Sequence, residues 1–148
     1  MIMTQGLNIG CGSQVTDISN LHISYQRAMA VVAMAQMTDS PLTVFDEMGV
    51  YRILYSINDR DLLTQIYSEC LNPLIAYDER HGTDYVRTLE LYLKYSGSIQ
   101  AVAQAMFTHR NTVTYRIRNI KQMLGCPLET ADERLPYQIA CLIRHMKI

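Results

Sequence analysis

Five basic side chains without acidic neighbours occupy one stretch of this 148-residue chain. Between Leu91 and Leu128 there is no Asp or Glu, and the basic residues there are Lys94, Arg110, Arg116, Arg118 and Lys121. The residues before this stretch have a net charge of −6 and those after it are neutral, so the total of −1 conceals an uneven distribution. Local positive potential attracts phosphate groups, although an acid-free stretch also arises by chance. The stretch points to a nucleic-acid partner.

The basic residues lie on a pattern of two helices joined by a tight turn. The first helix is predicted to begin after the N-cap residue Ser98, which follows Gly97, and its apolar positions are Ile99, Val102, Ala103 and Met106. A second helix is predicted from Arg110 to Leu124, because its apolar residues step by four, three and four positions before Gly125 and Pro127. Two helices with about three residues between them, the second helix basic, are typical of a helix-turn-helix.

One sector of the second helix is predicted to face a DNA groove. At about 100° per residue, this sector lies roughly 120° from the centre of the apolar stripe. Recognition helices contact base edges with their N-terminal residues, and Arg and Asn can form paired hydrogen bonds with guanine and adenine. The same side chains are equally suited to phosphate contacts. Our base-reading candidates are Arg110, Asn111, Thr114, Tyr115 and Arg118, with Gln122 further along the sector.

A second set of residues is predicted to contact phosphate. Backbone NH groups at the start of the first helix favour an anion, and Lys121 lies at the boundary of the groove sector. Arg116 projects elsewhere, so we expect it to meet a phosphate or to pair with an acid from another helix. At the turn, His109 is expected to contact a phosphate or to cap the second helix. The phosphate candidates are Ser98, Gln100, His109, Arg116 and Lys121.

Most of the remaining chain is also predicted to be helical. The caps are expected at Asp59, Thr83 and Asp132, and the helices at residues 24–37, 50–57, 60–71, 73–77, 84–95 and about 133–146. The short strand candidates are residues 7–11 and 42–45. We therefore expect a mainly α fold, a helical bundle with a C-terminal helix-turn-helix, preceded by a remnant α/β segment with one or two short strands.

Groups that could support catalysis or metal binding are weak candidates. Asp78, Glu79, His81 and Asp84 are close in sequence, but they lie at a junction between predicted helices, where acids commonly serve as caps. Cys11 has His22 nearby but no third residue to orient a catalytic pair, and the four cysteines lack paired spacing. The N-terminal glycines lack the spacing and Lys of a phosphate loop. We expect no enzyme activity, no metal site, no cofactor and reduced thiols.

The sequence lacks the usual signals for export or membrane insertion. Its first residues do not combine a basic patch with an apolar run. The apolar segment 24–37 contains Arg27 and Gln36 and is shorter than the roughly 20 residues needed to cross a bilayer. We expect a cytoplasmic protein without membrane contact.

Several runs resemble the DNA-binding end of PucR-type bacterial transcriptional regulators, also called CdaR-type. The resemblance covers the chain from Asn72 onward, and its motifs are YDERHGTD at 77–84, TLELYL at 88–93, SI at 98–99 and HRNTVTYRI at 109–117. The last run is also similar to the helix-turn-helix of Fis-like proteins, in which a Gly often occupies the turn position of Phe107. Segments 24–28 and 45–54 resemble the end of the linker domain of such regulators.

The resemblance implies a domain organisation and a function. Residues 1–58 would be the tail of a cyclase-like linker domain of CdaR type, 59–82 connecting helices, and 83–148 the helix-turn-helix domain. We expect sequence-specific binding of double-stranded DNA, with Arg110 to Leu124 in the major groove, and a small-molecule effector bound by a sensor region absent from this chain. One helix reads few base pairs, so we expect a homodimer, through the helix at 24–37 or the final helix. The alternative is a helical dimerisation or signal-relay module without direct DNA binding.

Overall fold

The fold is taken from a computed structural model that describes residues 9–37 and 44–146, without the side chains of residues 33 and 35–37. The described residues form seven α-helices: α1 Leu21–Met37, α2 Tyr51–Ser56, α3 Arg60–His81, α4 Tyr85–Lys94, α5 Ile99–Ala105, α6 Arg110–Leu124 and α7 Ala131–His145. Two 3-10 helices, Ile18–Asn20 and Phe45–Met48, complete them. The predicted mainly α class is confirmed.

The helices fall into two compact units. The first contains the described residues up to Arg60 together with His145 and Met146, and the second contains Asp61–Arg144. In the first unit, Ala30, Val31 and Met34 of α1 form a small core with Phe45 and Met48. Leu21, Tyr25 and Met29 recur at a spacing of four residues, so they lie together on the opposite side of this helix. All three side chains are exposed.

The predicted strands are reduced, in the described ranges, to one isolated parallel bridge between Cys11 and Val44. The backbone NH of Phe45 donates to the carbonyl of Cys11 over 3.0 Å. A Cβ atom at Gly10 or Gly12 would collide with the backbone of α1, so these glycines allow the segment to lie directly against the helix. Residues 7–8 and 42–43 of the predicted strands lie outside the described residues.

Helix α3 corrects one prediction, since the expected helices at 60–71 and 73–77 are a single helix with Pro73 inside it. Proline lacks a backbone NH, so it removes one hydrogen bond of the helix. The side chains of Leu71 and Leu74, on either side of the break, are fully buried in the core of the second unit. Burial of this apolar face outweighs the lost hydrogen bond, because tertiary packing supplies most helix stability.

Helix α7 corrects a second prediction, because its cap is Thr130 and not Asp132. The hydroxyl of Thr130 accepts a hydrogen bond from the NH of Glu133 over 3.2 Å. In return, the carboxylate of Glu133 accepts from the NH groups of Glu129 and Thr130 over 2.8 and 3.2 Å. This reciprocal arrangement is a capping box, and it starts α7 at Ala131 so that Pro136 lies inside the helix.

The second unit has a core to which α3, α4, α5, α6 and α7 all contribute. Its fully buried members include Leu74, Leu89, Val102, Ile120 and Ala140, one from each helix in turn. Leu128, between α6 and α7, is also fully buried. The core therefore holds α4, α5 and α6 against one another and leaves their other faces for contact with solvent.

The described residues contain no helix long and apolar enough to span a membrane, and no group of three or more side chains placed to hold a metal ion. The four cysteines are free thiols. Burial raises the pKa of Cys141 to about 12, which keeps this thiol protonated and unreactive at neutral pH.

Candidate nucleic-acid interface

The two helices predicted as a helix-turn-helix are α5 and α6. Helix α5 begins at Ile99, directly after the predicted cap Ser98, and α6 begins at the predicted residue Arg110. Ser98 caps α5, because its hydroxyl accepts from the NH of Ala101 over 3.3 Å. The apolar stripe of α6 packs inward through Val113, Ile117 and Ile120, all of them buried. Gly125 ends α6 in the left-handed conformation, with φ 60°. Local sequence signals therefore define both helices.

The turn between α5 and α6 is built on an unusual residue. The NH groups of Phe107 and Thr108 donate to the carbonyls of Gln104 and Ala103 over 3.2 and 3.0 Å, a Schellman arrangement that closes α5. This geometry places Phe107 at φ 50°, a left-handed conformation that usually holds Gly. A residue with a Cβ atom is strained there by about 1–2 kcal/mol. The turn has the conformation expected for a glycine although the glycine is absent.

His109 caps the recognition helix candidate α6. Its Nδ1 atom accepts a hydrogen bond from the NH of Asn111 over 3.2 Å. An accepting Nδ1 is unprotonated, so the neutral imidazole carries its proton on Nε2. The exposed ring therefore retains one donor, at Nε2, for another partner.

The five base-reading candidates all lie on the exposed side of α6. Arg110, Asn111, Thr114 and Arg118 are exposed, and Tyr115 retains 57% of its accessible surface. The hydroxyl of Thr114 donates to the carbonyl of Arg110 over 2.9 Å, which leaves its oxygen able to accept. The guanidinium of Arg118 lies 5.9 Å from the centre of the Tyr115 ring. In the folded chain, the side-chain donors and acceptors of these five residues therefore face solvent.

Arg116 points in a different direction from the other basic residues of α6. Its Nη1 atom lies 3.9 Å from a carboxylate oxygen of Asp84 and 3.4 Å from the hydroxyl of Thr88. Thr88 is fully buried and donates to the carbonyl of Asp84 over 2.6 Å. Arg116 therefore connects α6 to the beginning of α4, the second of the two roles expected for it.

The remaining phosphate candidates are distributed around the turn and the end of α6. Ser98 and Gln100 are exposed at the beginning of α5, and Lys121 is half-buried in the last turn of α6. NH groups of Glu129 and Thr130 lower the pKa of Glu133 by hydrogen bonding, and the nearby charge of Lys121 contributes to the same shift.

The beginning of α4 is held by a cap that sequence inspection missed. One oxygen of Asp78 accepts from the hydroxyl of Thr83 over 2.6 Å and from the NH of Tyr85 over 2.7 Å. The other oxygen accepts from the NH of Val86 over 2.9 Å. Thr83, the predicted cap, instead donates its hydroxyl to Asp78. The capping carboxylate is that of Asp78, which lies near the end of α3. A helix end capped from seven residues away has no local signature.

Three of the four residues considered as a metal cluster have separate roles, and the fourth, Glu79, is exposed. Asp78 caps α4 and Asp84 pairs with Arg116, as described above. His81 stacks on Tyr77 with a distance of 4.1 Å between ring centroids, and Tyr77 in turn stacks on Tyr85 at 4.9 Å. The hydroxyl of Tyr85 accepts from the amide of Asn119 on α6 over 2.9 Å. These residues connect α3 and α4 to the recognition helix candidate.

An open concavity lies where α5 meets the start of α6. It is lined by Gln100, Ala103, Gln104, Phe107, Thr108, His109 and Arg110. Gln104 was not among the predicted site residues, although it is exposed and lies one helical turn after Gln100. Its position identifies α5 as a contributor of side-chain hydrogen-bonding groups beside Arg110.

Comparison with known proteins places the second half of the chain in a family. Residues 85–143 match the family model of the PucR C-terminal helix-turn-helix domain. The proline-responsive transcriptional activator PutR of Bacillus subtilis strain 168 is 31% identical over 142 residues, which are 94% of this chain and 34% of PutR. The DNA-binding transcriptional activator AdeR of the same organism is 25% identical over 147 residues, 97% of this chain and 35% of AdeR.

A third relative, the carbohydrate diacid regulator of Escherichia coli K12, is 35% identical over 54 residues, 36% of this chain and 14% of that protein. The chain spans about a third of the length of PutR and of AdeR. The matched residues contain α4, α5 and α6 complete and most of α7. Through residues 85–143, the chain belongs to the family of the PucR C-terminal helix-turn-helix domain, as the resemblance of its motifs predicted.

Proposed function

We propose that this chain binds double-stranded DNA in a sequence-specific manner, with α6 in the major groove, as the DNA-binding part of a transcriptional regulator. The observation that carries the proposal is the exposed face of α6 within a helix-turn-helix of the PucR type. Helices placed in this way enter the major groove with their N-terminal residues toward base edges. The names of PutR and AdeR, both called transcriptional activators, support the same role.

The charge arrangement favours DNA over an internal role for the basic residues. Within residues 9–37 and 44–146, the ion pairs include those of Arg52 with Asp46, Arg116 with Asp84 and Arg144 with Glu90. Arg110 and Arg118 take part in none of them. The alternative, a module whose basic residues pair internally, accounts for Arg116 and leaves the other two arginines unexplained.

We assign Arg110, Asn111 and Thr114 to base edges, with Tyr115 and Arg118 further along the same face. His109 and Lys121 are assigned to phosphate, His109 through the Nε2 donor that its capping role leaves over. Ser98 and Gln100 remain candidates for the same role. For Arg116 we propose a structural role, because its guanidinium is already held by Asp84 and Thr88.

We further propose that the DNA-bound form contains two copies of the chain. A single helix-turn-helix reads few base pairs, and two copies on half-sites about one helical turn apart supply the missing affinity. In the first unit, the exposed stripe Leu21, Tyr25 and Met29 of α1 is an apolar surface suited to a second copy.

The direct test selects binding sites from a random pool of duplex DNA with the purified chain at low and moderate salt. We expect recovery of a palindromic motif. Affinity should fall steeply with salt, by roughly one logarithmic unit per logarithmic unit of salt for each phosphate contacted. Retention without a motif would contradict sequence-specific reading, and failure to retain any duplex would favour the dimerisation or signal-relay module.

Two substitutions separate base reading from phosphate contact. Arg110→Ala should weaken binding to the recovered motif and reduce discrimination at one base pair by about 1–3 kcal/mol, because a paired hydrogen bond is lost. Lys121→Ala should weaken all duplexes about equally and lower the salt dependence. Arg87→Ala removes the same charge from an exposed position on α4 and serves as the control. Equal, sequence-blind losses for Arg110→Ala and Lys121→Ala would refute the assignment of Arg110.

A further inference from the structure

We propose that Phe107 determines part of the DNA specificity by contacting the 5-methyl group of a thymine in the major groove. The inference rests on the proposed function and adds a base-contacting residue outside the recognition helix. Phe107 is 99% exposed, whereas the next most exposed large apolar residue of the described chain, Ile18, is 88% exposed. Its position is in the turn, three residues before Arg110.

The fold does not require a phenyl ring at this position. Both hydrogen bonds that close α5 use the backbone NH groups of Phe107 and Thr108, so a glycine at position 107 would form them equally well. The left-handed φ of 50° even favours glycine, because a Cβ atom is strained in this region. A fully exposed ring in a strained conformation neither fills the core nor stabilises the turn. Its contribution must therefore come from contact with a partner.

The surroundings of Phe107 indicate which partner this is. The ring borders the concavity whose polar members are Gln100, Gln104, Thr108, His109 and Arg110. A protein partner for an exposed phenyl ring would require further apolar side chains around it, and this concavity has only Ala103. Because Ala103 is buried, Phe107 is the one exposed apolar side chain among the hydrogen-bonding groups of this lining, an arrangement that matches the floor of the major groove.

The major groove offers one kind of apolar group among its hydrogen-bonding edges. Guanine, cytosine and adenine present donors and acceptors there, whereas thymine adds its 5-methyl group, which apolar side chains contact. The polar neighbours of Phe107 can form hydrogen bonds with the donors and acceptors of the base edges, and the phenyl ring can contact the methyl group. The geometry therefore assigns Phe107 to a thymine adjacent to the bases read by the start of α6.

Replacement of single thymines by deoxyuridine tests this contact, because it removes only the methyl group. The probe is a duplex recovered with the wild-type chain from the random pool, with each thymine replaced in turn. We expect one position in each half-site at which deoxyuridine weakens wild-type binding by about three- to tenfold, the effect of one buried methyl group. Phe107→Gly should weaken binding to the unmodified duplex by a similar factor and should be insensitive to deoxyuridine at that position.

Phe107→Gly is suited to this test because it should not unfold the chain. Glycine adopts the left-handed conformation without strain, so we expect a melting temperature equal to or above that of the wild type. Phe107→Asn, which also tolerates this conformation, is the second variant and should give the same loss of deoxyuridine sensitivity.

Three results would overturn the inference. The first is unchanged affinity of Phe107→Gly for the unmodified duplex, and the second is deoxyuridine sensitivity that survives the substitution. The third is equal weakening on every duplex, which would place the ring against sugar and phosphate. Binding of Phe107→Gly with wild-type affinity to the recovered motif would leave the proposed function intact, whereas a wild-type chain that retained no duplex would remove both.

Discussion

Arg116 and Arg118 of α6 are two residues apart and differ in their surroundings. Arg116 is held by Asp84 and Thr88 of α4, and Arg118 lies on the exposed side next to Tyr115. Helical spacing places Arg116 outside the groove-facing sector that contains Arg118, but it does not show whether Arg116 meets a phosphate or an acid of another helix. Their difference follows from which side of α6 packs on α4. A basic residue near a recognition helix is a DNA contact candidate only when its own fold leaves it unengaged.

Asp78 offers a prediction at the residue scale. Asp78→Ala should lower the free energy of unfolding by about 1–2 kcal/mol, because the first NH groups of α4 lose a capping carboxylate. Denaturation by urea measures the difference. Glu79→Ala removes an exposed acid from the next position of α3 and should have little effect. Equal stability losses for the two variants would contradict the capping role.

At the scale of elements, the residues at the helix ends provide most of the local sequence signals that set where each helix begins and ends. Ser98, His109 and Thr130 cap the beginnings of α5, α6 and α7 by side-chain hydrogen bonds within three residues. Gly125 ends α6 in the left-handed conformation. Such short-range signals are visible in the sequence: Ser98 was predicted as a cap, and capping was one of the two roles expected for His109. The third was assigned to Asp132, because Thr and Asp are both common caps and the sequence contains them two positions apart.

The capping box of α7 gives a pH-dependent prediction. Hydrogen bonds from the NH groups of Glu129 and Thr130 lower the pKa of Glu133 below its ordinary value of 4.5. A carboxylate with a lowered pKa in the folded state stabilises the fold above its unfolded pKa, and this stabilisation is lost as the pH falls through the folded pKa. Glu133→Gln keeps an accepting oxygen but cannot titrate.

We therefore expect the melting temperature of the wild type to exceed that of Glu133→Gln at neutral pH, and the difference to shrink as the pH falls below about 4.5. Calorimetry across this pH range measures it. Glu129→Gln, a neighbouring exposed acid whose side chain makes no hydrogen bond within the described residues, is the matched control. A melting-temperature difference independent of pH would argue against a charged cap.

At the scale of the whole molecule, the chain divides into two compact units and spans about a third of its relatives PutR and AdeR. The family match lies within the second unit, which contains the helix-turn-helix. The first unit carries the exposed apolar stripe of α1. Under our proposal the two units have different tasks, with DNA contact in the second and association of two copies in the first.

Association through α1 predicts a specific effect of charge. Tyr25→Glu places a carboxylate in the middle of the exposed stripe and should shift the chain from dimer to monomer at concentrations on the order of tens of micromolar, because desolvation of the charge opposes burial. Sedimentation equilibrium measures this shift. Gln26→Glu introduces the same charge at an exposed neighbouring position outside the stripe and should leave association unchanged. A wild-type chain that is strictly monomeric under these conditions would exclude the α1 surface without affecting DNA binding by a single copy.

The amino-acid sequence by itself determined the mainly α class, the bounds of α6, the exposed side with Arg110, Asn111 and Thr114, and the family of the second half. These features depend on helical periodicity and on hydrogen bonds between residues a few positions apart. Only the tertiary structure decided the continuity of α3 through Pro73, the capping of α4 by Asp78 and the pairing of Arg116 with Asp84. Each of these depends on packing between helices, because burial of Leu71 and Leu74 outweighs a local helix breaker, and contacts across the core bring together side chains that sequence spacing does not relate.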